Sequence, residues 1–289
     1  MRYNDSIDLD AASPHEMKFI DKGELFSLYQ SWRQPHHLWR LDRMKRSLAV
    51  IFIFLLVLGA LTGCGPNQEK IQKDFITIME KPASEDTIKE ATDYLDKYLS
   101  KMDEKNASDM VLHLEHYILG FNQEGITYSE WAEHYDKYIS ASLKDLYKIK
   151  ENDQKTPIAV DTKLQVSWEE LLQRTYDMEL FIQKYKDQTL IAEDATWIYG
   201  NDMNALAMGT NGTPIFDYKT HAFSETAKTA YAAFINKHPD STTAWALTEY
   251  FTYLDSIQYT MDYNDKISSK LFFDTCDWLV SESGKRVFQ

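Results

Sequence analysis

Cysteine, glycine and proline are all scarce in this chain of 289 residues. Two cysteines cannot build the disulfide network that holds many small secreted domains together. Ten glycines and seven prolines are too few for a collagen-like or low-complexity chain. Positive charge is also short, because 31 lysines and arginines stand against 45 aspartates and glutamates, a net charge of −14. Since nucleic acid is bound by a basic face, this balance argues against a nucleic-acid partner.

The excess of negative charge is confined to the larger, C-terminal part of the chain. Residues 1–63 hold eight bases and seven acids, whereas residues 64–289 hold 23 bases and 38 acids, a net charge of −15. A body with this charge would be repelled by an anionic lipid surface, which would tilt it outward. The first 63 residues are therefore a different kind of sequence from the rest.

A short apolar segment lies at the boundary between these two parts. Residues 44–65 read MKRSLAVIFIFLLVLGALTGCG, in which Lys45 and Arg46 precede an unbroken apolar run from Leu48 to Leu58. This order of basic, apolar and small residues is typical of a secretory signal peptide. The run is shorter than the roughly 20 apolar residues that a permanent membrane span needs.

The end of this segment carries a more specific motif. Leu61-Thr62-Gly63-Cys64 resembles the lipobox of bacterial lipoproteins, and the likeness covers about 22 residues around it. The resemblance implies lipidation at Cys64 and signal cleavage between Gly63 and Cys64. Acyl chains such as palmitate would then hold the body on the extracytoplasmic side of a bacterial cell membrane. An ordinary membrane helix that happens to end in Gly-Cys is the alternative.

The lipobox-like motif divides the chain into three predicted parts. Residues 44–63 are the predicted signal peptide, and residues 64–289 are the predicted extracytoplasmic domain. Because Met44 directly precedes the Lys-Arg pair, residues 1–43 are interpreted as an upstream over-extension of the reading frame or, alternatively, as a cytoplasmic tail. Within the domain, residues 151–166 form a polar, proline-containing break that is long enough to separate two lobes.

Helical periodicity and N-terminal capping residues dominate the sequence after Cys64. The predicted N-caps are Ser84, Ser108, Thr127, Ser167, Ser224, Ser241 and Ser268. Two of them also form capping boxes, Thr127 with Glu130 and Ser167 with Glu170. The first box is expected to start a helix that runs to about Lys150. The sequence predicts an all-α fold, a helical bundle or stacked helical hairpins of about eight or nine helices after a cleaved signal segment.

The chemistry-bearing residues do not form a known catalytic or cofactor-binding motif. Side chains that suit a metal occur together as His113, Glu115, His116 and His134. Their spacing matches neither His-Glu-x-x-His nor a repeated Glu-x-x-His, and half-exposed histidines explain them equally well. Cys276 lies between two aspartates, which disfavours a thiolate, so it is expected to be a core thiol. The sequence therefore predicts no catalytic residue, no metal and no cofactor.

Residues 199–223 lack clear periodicity and are predicted to form a long loop. Trp197 leads into this segment, and Asp202 and Asn204 lie within it. Because long loops are often functional, these three side chains are the candidate ligand-binding residues, with simple turn chemistry as the alternative. The sequence favours a non-enzymatic binding role at the cell envelope, with a protein, peptide or glycan as ligand. The alternative is an envelope hydrolase that acts on glycan or peptide through acids near residues 199–223.

Overall fold

The computed structural model describes residues 67–122 and 124–289, which contain ten α-helices, two short 3-10 helices (Leu99–Lys101 and Thr189–Ile191) and two small hairpins joined by turns. The first five helices are α1 (Gln68–Met79), α2 (Glu85–Tyr98), α3 (Glu104–Phe121), α4 (Tyr128–Tyr135) and α5 (Ala141–Lys155). The other five are α6 (Trp168–Lys184), α7 (Ala192–Met208), α8 (Glu225–Lys237), α9 (Thr242–Ser256) and α10 (Lys266–Arg286). The all-α prediction is confirmed. The predicted signal peptide, residues 44–63, lies outside the described residues, as do residues 1–43 and Cys64.

The strands form two antiparallel hairpins. In one, β1 (Ala159–Val160) pairs with β2 (Lys163–Leu164), with Ala159 opposite Leu164. In the other, β3 (Gly209–Thr210) pairs with β4 (Thr213–Pro214), with Gly209 opposite Pro214. The first hairpin and the last turns of α5 occupy the segment 151–166, which the sequence marked as a polar break.

Four of the predicted serine caps are confirmed by their hydrogen bonds. Each of these side chains accepts from the backbone N–H three residues on, and they are Ser84, Ser167, Ser224 and Ser241. Such a bond satisfies one of the backbone donors that a helix leaves open at its N-terminus. Thr127 precedes α4 as predicted, but its side chain makes no capping hydrogen bond.

Two predicted caps are wrong because an aspartate upstream takes the role. Asp103 caps α3 and Asp265 caps α10, so Ser108 and Ser268 lie inside helices that have already begun. Ser108 instead joins two elements. Its hydroxyl donates to the Glu104 carbonyl at 2.6 Å and accepts from the Ser140 N–H at 2.8 Å, just before α5.

The long helix expected from Thr127 to Lys150 is also divided. Residues 136–140 form a turn between α4 and α5, and the side chain of Ser140 caps the second helix. This division adds one helix to the eight or nine that the periodicity predicted, and the described residues hold ten.

The helices pack in two neighbouring groups within one compact unit that spans Gly65–Gln289. In the first group, helices α1, α2 and α3 pack against one another, and α4 packs against α5. In the second group, α6 lies against α7 and α8, while α10 lies against α7 and α9. Two buried tyrosines of the second group, Tyr231 and Tyr250, donate to the carbonyls of Leu206 and Ala207 in the last turn of α7, at 2.6 and 2.7 Å. These hydrogen bonds satisfy carbonyls that the end of a helix leaves open.

The loop predicted for residues 199–223 is corrected by the structure. Residues 199–208 belong to α7, and the following residues form the β3–β4 hairpin and a turn. Gly209 ends the helix with a φ of +73°, and a Cβ there would lie 2.3 Å from the Thr213 carbonyl oxygen, so this turn requires glycine. Of the described helices, none combines the length and the apolar composition needed to cross a membrane.

Candidate functional site

Three helices bring four ionisable side chains together at the junction of the two helical groups. We name this set the Lys150 cluster, and it consists of Glu115, His116, Lys150 and Asp194. Glu115 and His116 lie on α3, Lys150 on α5 and Asp194 on α7. The Lys150 ammonium donates to both Glu115 and Asp194, and His116 Nε2 lies 2.9 Å from Asp194 Oδ1. The cluster therefore joins helices that are far apart in sequence.

The cluster is largely closed to solvent. Glu115 is 0% exposed, and the side chains of Asp194 and Lys150 are 7% and 11% exposed. His116, at 29%, is the most exposed member. Removing ionised groups from water is costly, and the cost is offset only where the charges are paired and hydrogen-bonded.

Two tyrosines complete the surroundings of the ammonium group. The Tyr128 hydroxyl donates to Glu115 Oε1 at 2.8 Å. Lys150 Nζ lies 5.5 and 5.7 Å from the ring centroids of Tyr128 and Tyr147, within the range of a cation–π contact. The ammonium is thus held by carboxylates and by aromatic rings.

The electrostatics of the cluster fix the charge of its members. Burial acts to lower the pKa of Lys150, but the neighbouring charges of Asp194 and Glu115 outweigh it and raise that pKa. Burial acts to raise the pKa of Asp194, but Lys150 and His116 hold it well below its usual range. At neutral pH the cluster therefore contains an ammonium ion beside an aspartate carboxylate.

The donor set has some of the properties of a cation site. One ligand atom each of Glu115, His116 and Asp194 lie within 4.8 Å of one another, and Glu115 Oε2 is buried and has no hydrogen-bond partner among the described residues. Oxygen and imidazole ligands suit several divalent metals. The Lys150 ammonium donates to two of these three residues, so a metal would have to displace it. In this arrangement the ammonium of Lys150, and not a metal ion, neutralises the buried acids.

The structure separates the residues that the sequence grouped as possible metal ligands. Glu115 and His116 belong to the Lys150 cluster, but His113 Nδ1 lies 2.8 Å from the Asp109 carbonyl oxygen. His134 Nε2 lies 2.8 Å from Asp96 Oδ1. The absence of a metal stays a prediction from the sequence.

Sequence reasoning missed Lys150 and Asp194 as members of a site. Lys150 is 35 residues from Glu115 and 44 residues from Asp194, so no local motif connects them. The one available signal was the adjacent pair of acids Glu193 and Asp194, which the structure places in the first turn of α7, and such pairs are common at that position of a helix.

The three candidate ligand-binding residues all lie on α7 but do not share one surface. Trp197 is 61% exposed, and Asn204 lies seven residues, or about two turns, further along the same side of the helix. Asp202 is only 3% exposed and points away from that side. Burial and the nearby Asp153 raise its pKa well above the usual value, although the charge of Arg174 acts the other way. Ligand binding by these residues stays a prediction.

A further buried carboxylate is explained fully by local structure. Glu179 on α6 is 0% exposed and lies at the N-terminus of α9. Its oxygens accept from the N–H groups of Thr242 and Thr243 at 2.7 and 2.9 Å, and from the Thr243 hydroxyl at 2.7 Å. A carboxylate is stabilised by the donors and the positive dipole at a helix N-terminus. Glu179 therefore joins α6 to α9.

Fold and cluster together define an all-α protein with a buried ionic network between two groups of helices. Comparisons with models of protein families, with characterised proteins and with solved structures each gave no match for this chain. Its function is therefore inferred from its own residues.

Proposed function

We propose that residues 64–289 are the lipid-anchored, extracytoplasmic body of a cell-envelope protein that binds a partner or ligand without catalysing a reaction. The observation that carries this proposal is the boundary of the compact unit, which begins at Gly65, directly after Cys64 of the lipobox-like motif. Cleavage before Cys64 would thus leave the helical body intact with the lipidated cysteine at its end.

The connection between the proposed anchor and the body is short. Asn67 is the N-cap of α1, and its side chain accepts from the Lys70 N–H at 3.1 Å. Three peptide units connect Cys64 to Asn67, and an extended chain of that length spans at most about 11 Å. An acyl group on Cys64 would therefore hold the first helix close to the lipid headgroups.

The use of the buried acids supports a binding role over the hydrolase alternative. Glu115 and Asp194 hold Lys150, and Glu179 caps α9, so these carboxylates have structural partners. Asp202 is only 3% exposed, and a hydrolase that used it would have to open the α7 packing to admit a glycan or peptide. Trp197, by contrast, offers an exposed ring of the kind that packs on sugars and peptides.

Labelling of cells with a fatty acid tests the anchor. In Cys64→Ala, the only acceptor thiol of the motif is gone, so we expect loss of the lipid label and accumulation of the unprocessed precursor. Cys276→Ala is the matched control, because Cys276 is fully buried on α10 and the label should remain. Mature, labelled protein from Cys64→Ala contradicts the proposal.

Retention on immobilised peptidoglycan fragments tests the binding role. We expect Trp197→Ala to weaken retention by about tenfold, since exposed tryptophans often dominate a binding surface. Leu180→Ala, which changes another exposed apolar residue on α6, should leave retention unchanged. Equal retention by both variants counts against Trp197 as a binding residue. Release of soluble fragments by the wild-type protein favours the hydrolase.

A further inference from the structure

Three buried polar atoms beside the Lys150 cluster have no hydrogen-bond partner among the described residues. They are Glu115 Oε2 on α3, Trp131 Nε1 on α4 and the Tyr147 hydroxyl on α5. Glu115 and Tyr147 are 0% exposed, and Trp131 is half-buried with its ring nitrogen closed to solvent. Because an unpaired polar group is costly to bury, native proteins pair nearly all such groups with protein or with ordered water. The three atoms therefore need either separate partners or a common one.

The three atoms lie close together where α3, α4 and α5 meet. Tyr128, about one turn before Trp131 on α4, donates to Glu115 Oε1 at 2.8 Å. The ring centroids of Tyr128 and Tyr147 are 5.9 Å apart, and the Lys150 ammonium lies over both rings. Burial raises the pKa of Tyr147 well above its usual value, the nearby Glu115 carboxylate adds to this increase, and the Trp131 N–H opposes it. Both groups thus act on the Tyr147 hydroxyl, and one small partner can reach all three atoms.

The chemistry of the three atoms selects a partner that both donates and accepts hydrogen bonds. The indole N–H of Trp131 only donates, a carboxylate oxygen of Glu115 only accepts, and the Tyr147 hydroxyl does either. A metal ion cannot accept from the indole, and an anion such as chloride would be repelled by the carboxylate. A water molecule meets both requirements, and buried waters typically make about three hydrogen bonds.

We propose that Glu115 Oε2, Trp131 Nε1 and the Tyr147 hydroxyl form a binding site for one buried water molecule. The water accepts from the indole of Trp131, donates to Glu115 Oε2 and forms its third hydrogen bond with the Tyr147 hydroxyl. Because Lys150 is shared between two carboxylates, a hydrogen bond to the second oxygen of Glu115 stabilises negative charge that the ammonium only partly offsets. The water also connects α4 to α3 and α5, and the site does not depend on the proposed lipid anchor.

Substitutions at the site should have non-additive effects on stability. Trp131→Phe and Tyr147→Phe each keep an aromatic ring but remove one hydrogen bond to the water, so we expect each to lower the folding equilibrium constant roughly fivefold. Because both side chains bond the same water, the double variant should lose clearly less than the product of the two effects. Trp168→Phe is the control, because Trp168 packs on Tyr231 in the second helical group, and its effect should multiply with that of Tyr147→Phe. Fully multiplicative effects of Trp131→Phe and Tyr147→Phe would mean separate partners and contradict a shared water.

Contacts between water and the tryptophan indoles test the site in solution. In the intact protein labelled with ¹⁵N-tryptophan, we expect the Trp131 N–H to show a nuclear Overhauser effect to water with the sign of a long-lived, bound molecule. Trp197 is the matched control, because its side chain is 61% exposed and meets rapidly exchanging bulk water. The Trp131 signal should persist in Tyr147→Phe, which distinguishes bound water from proton exchange with the Tyr147 hydroxyl. A Trp131 response like that of Trp197, or its loss in Tyr147→Phe, counts against the site.

A crystal structure of the intact protein, at a resolution that shows ordered solvent, decides the identity of the partner. We expect one density peak at hydrogen-bond distance from all three atoms, about 2.7–3.2 Å. A direct hydrogen bond between any two of Glu115 Oε2, Trp131 Nε1 and the Tyr147 hydroxyl, with no solvent peak beside them, overturns the proposal. A peak with the anomalous signal of a metal also overturns it, since the site would then bind a cation.

Discussion

Asp194 and Asp202 lie eight residues apart on α7 and are both buried, but their carboxyl groups meet different partners across the helix interface. Asp194 meets Lys150 of α5 and His116 of α3, and its pKa is held well below the usual range. Asp202 lies near Asp153, also on α5, and its pKa is raised well above the usual value. Asp153 is three residues from Lys150, less than one turn of α5.

The difference shows that burial alone does not decide the charge of an acid in this protein. Burial raises the pKa of both aspartates, because it disfavours the ionised form. At Asp194 the ammonium of Lys150 reverses this effect, whereas at Asp202 the Asp153 carboxylate adds to it. The interface between α5 and α7 thus contains one acid that is stabilised as an ion and one that is stabilised as a neutral group.

Removing the ammonium group of Lys150 is expected to change the free energy of unfolding the most. Lys150→Met leaves Glu115 and Asp194 buried without their cation, and we expect the free energy of unfolding at neutral pH to fall by about 3–5 kcal/mol. Chemical denaturation measures the change. Lys150→Met combined with Glu115→Gln and Asp194→Asn removes the uncompensated charges and should recover most of the loss. A loss below about 1 kcal/mol in the single variant would mean that the cluster is not paired as described.

Neutralising Asp194 has the next largest effect, and its pH dependence identifies the cause. Asp194→Asn retains the Lys150–Glu115 pair, so we expect a loss of about 2 kcal/mol at neutral pH. Because the folded pKa of Asp194 is lowered, its contribution is present above the ordinary value of 3.8 and is lost as the pH falls toward the folded pKa. The gap between wild type and variant should narrow in acid. A gap that stays constant from neutral to acid pH contradicts the ionic role.

Neutralising Asp202 should have a smaller effect of the opposite sign. Asp202→Asn removes a buried carboxyl group that is costly to ionise, so we expect a gain of about 1 kcal/mol at neutral pH. Because the folded pKa of Asp202 is raised, the wild type is fully stabilised below 3.8 and loses stability as the pH rises through the folded pKa. The stability gain of Asp202→Asn should therefore vanish below pH 3.8. A loss at neutral pH would indicate that Asp202 is held as an ion by an unrecognised partner.

The sequence predicted the fold class and most helix starts, because these depend on local patterns. Ser84 and Ser167 cap their helices as their positions predicted. The prediction that Ser268 caps α10 was wrong. Asp265, three residues earlier, is an equally good cap, and periodicity alone does not distinguish the two. The start of a helix therefore depends on which of two possible capping side chains makes the hydrogen bond, and the sequence alone does not decide this.

The loop prediction was wrong for residues 199–208, and the reason lies in how α7 is buried. Buried residues such as Ile198, Met203 and Leu206 surround the helix, because α6 and α10 cover it from different sides. A helix buried on several sides shows no single apolar stripe, which is the signal that periodicity detects. For this reason the sequence wrongly predicts that Asp202 lies in a loop, whereas it is buried on α7.

The Lys150 cluster could not be predicted from sequence. Its members lie on α3, α5 and α7, and the pairing of Lys150 with Asp194 depends on how these helices pack. The local signals at each member, a helical lysine and an acid in a first helical turn, are among the commonest in helical proteins.

The mass of the intact mature protein, extracted from the membrane fraction, tests the central claim most directly. A lipid-anchored body predicts a polypeptide that begins at Cys64 and carries the added mass of its acyl groups. An unmodified polypeptide that retains residues 44–63 would contradict the lipid anchor.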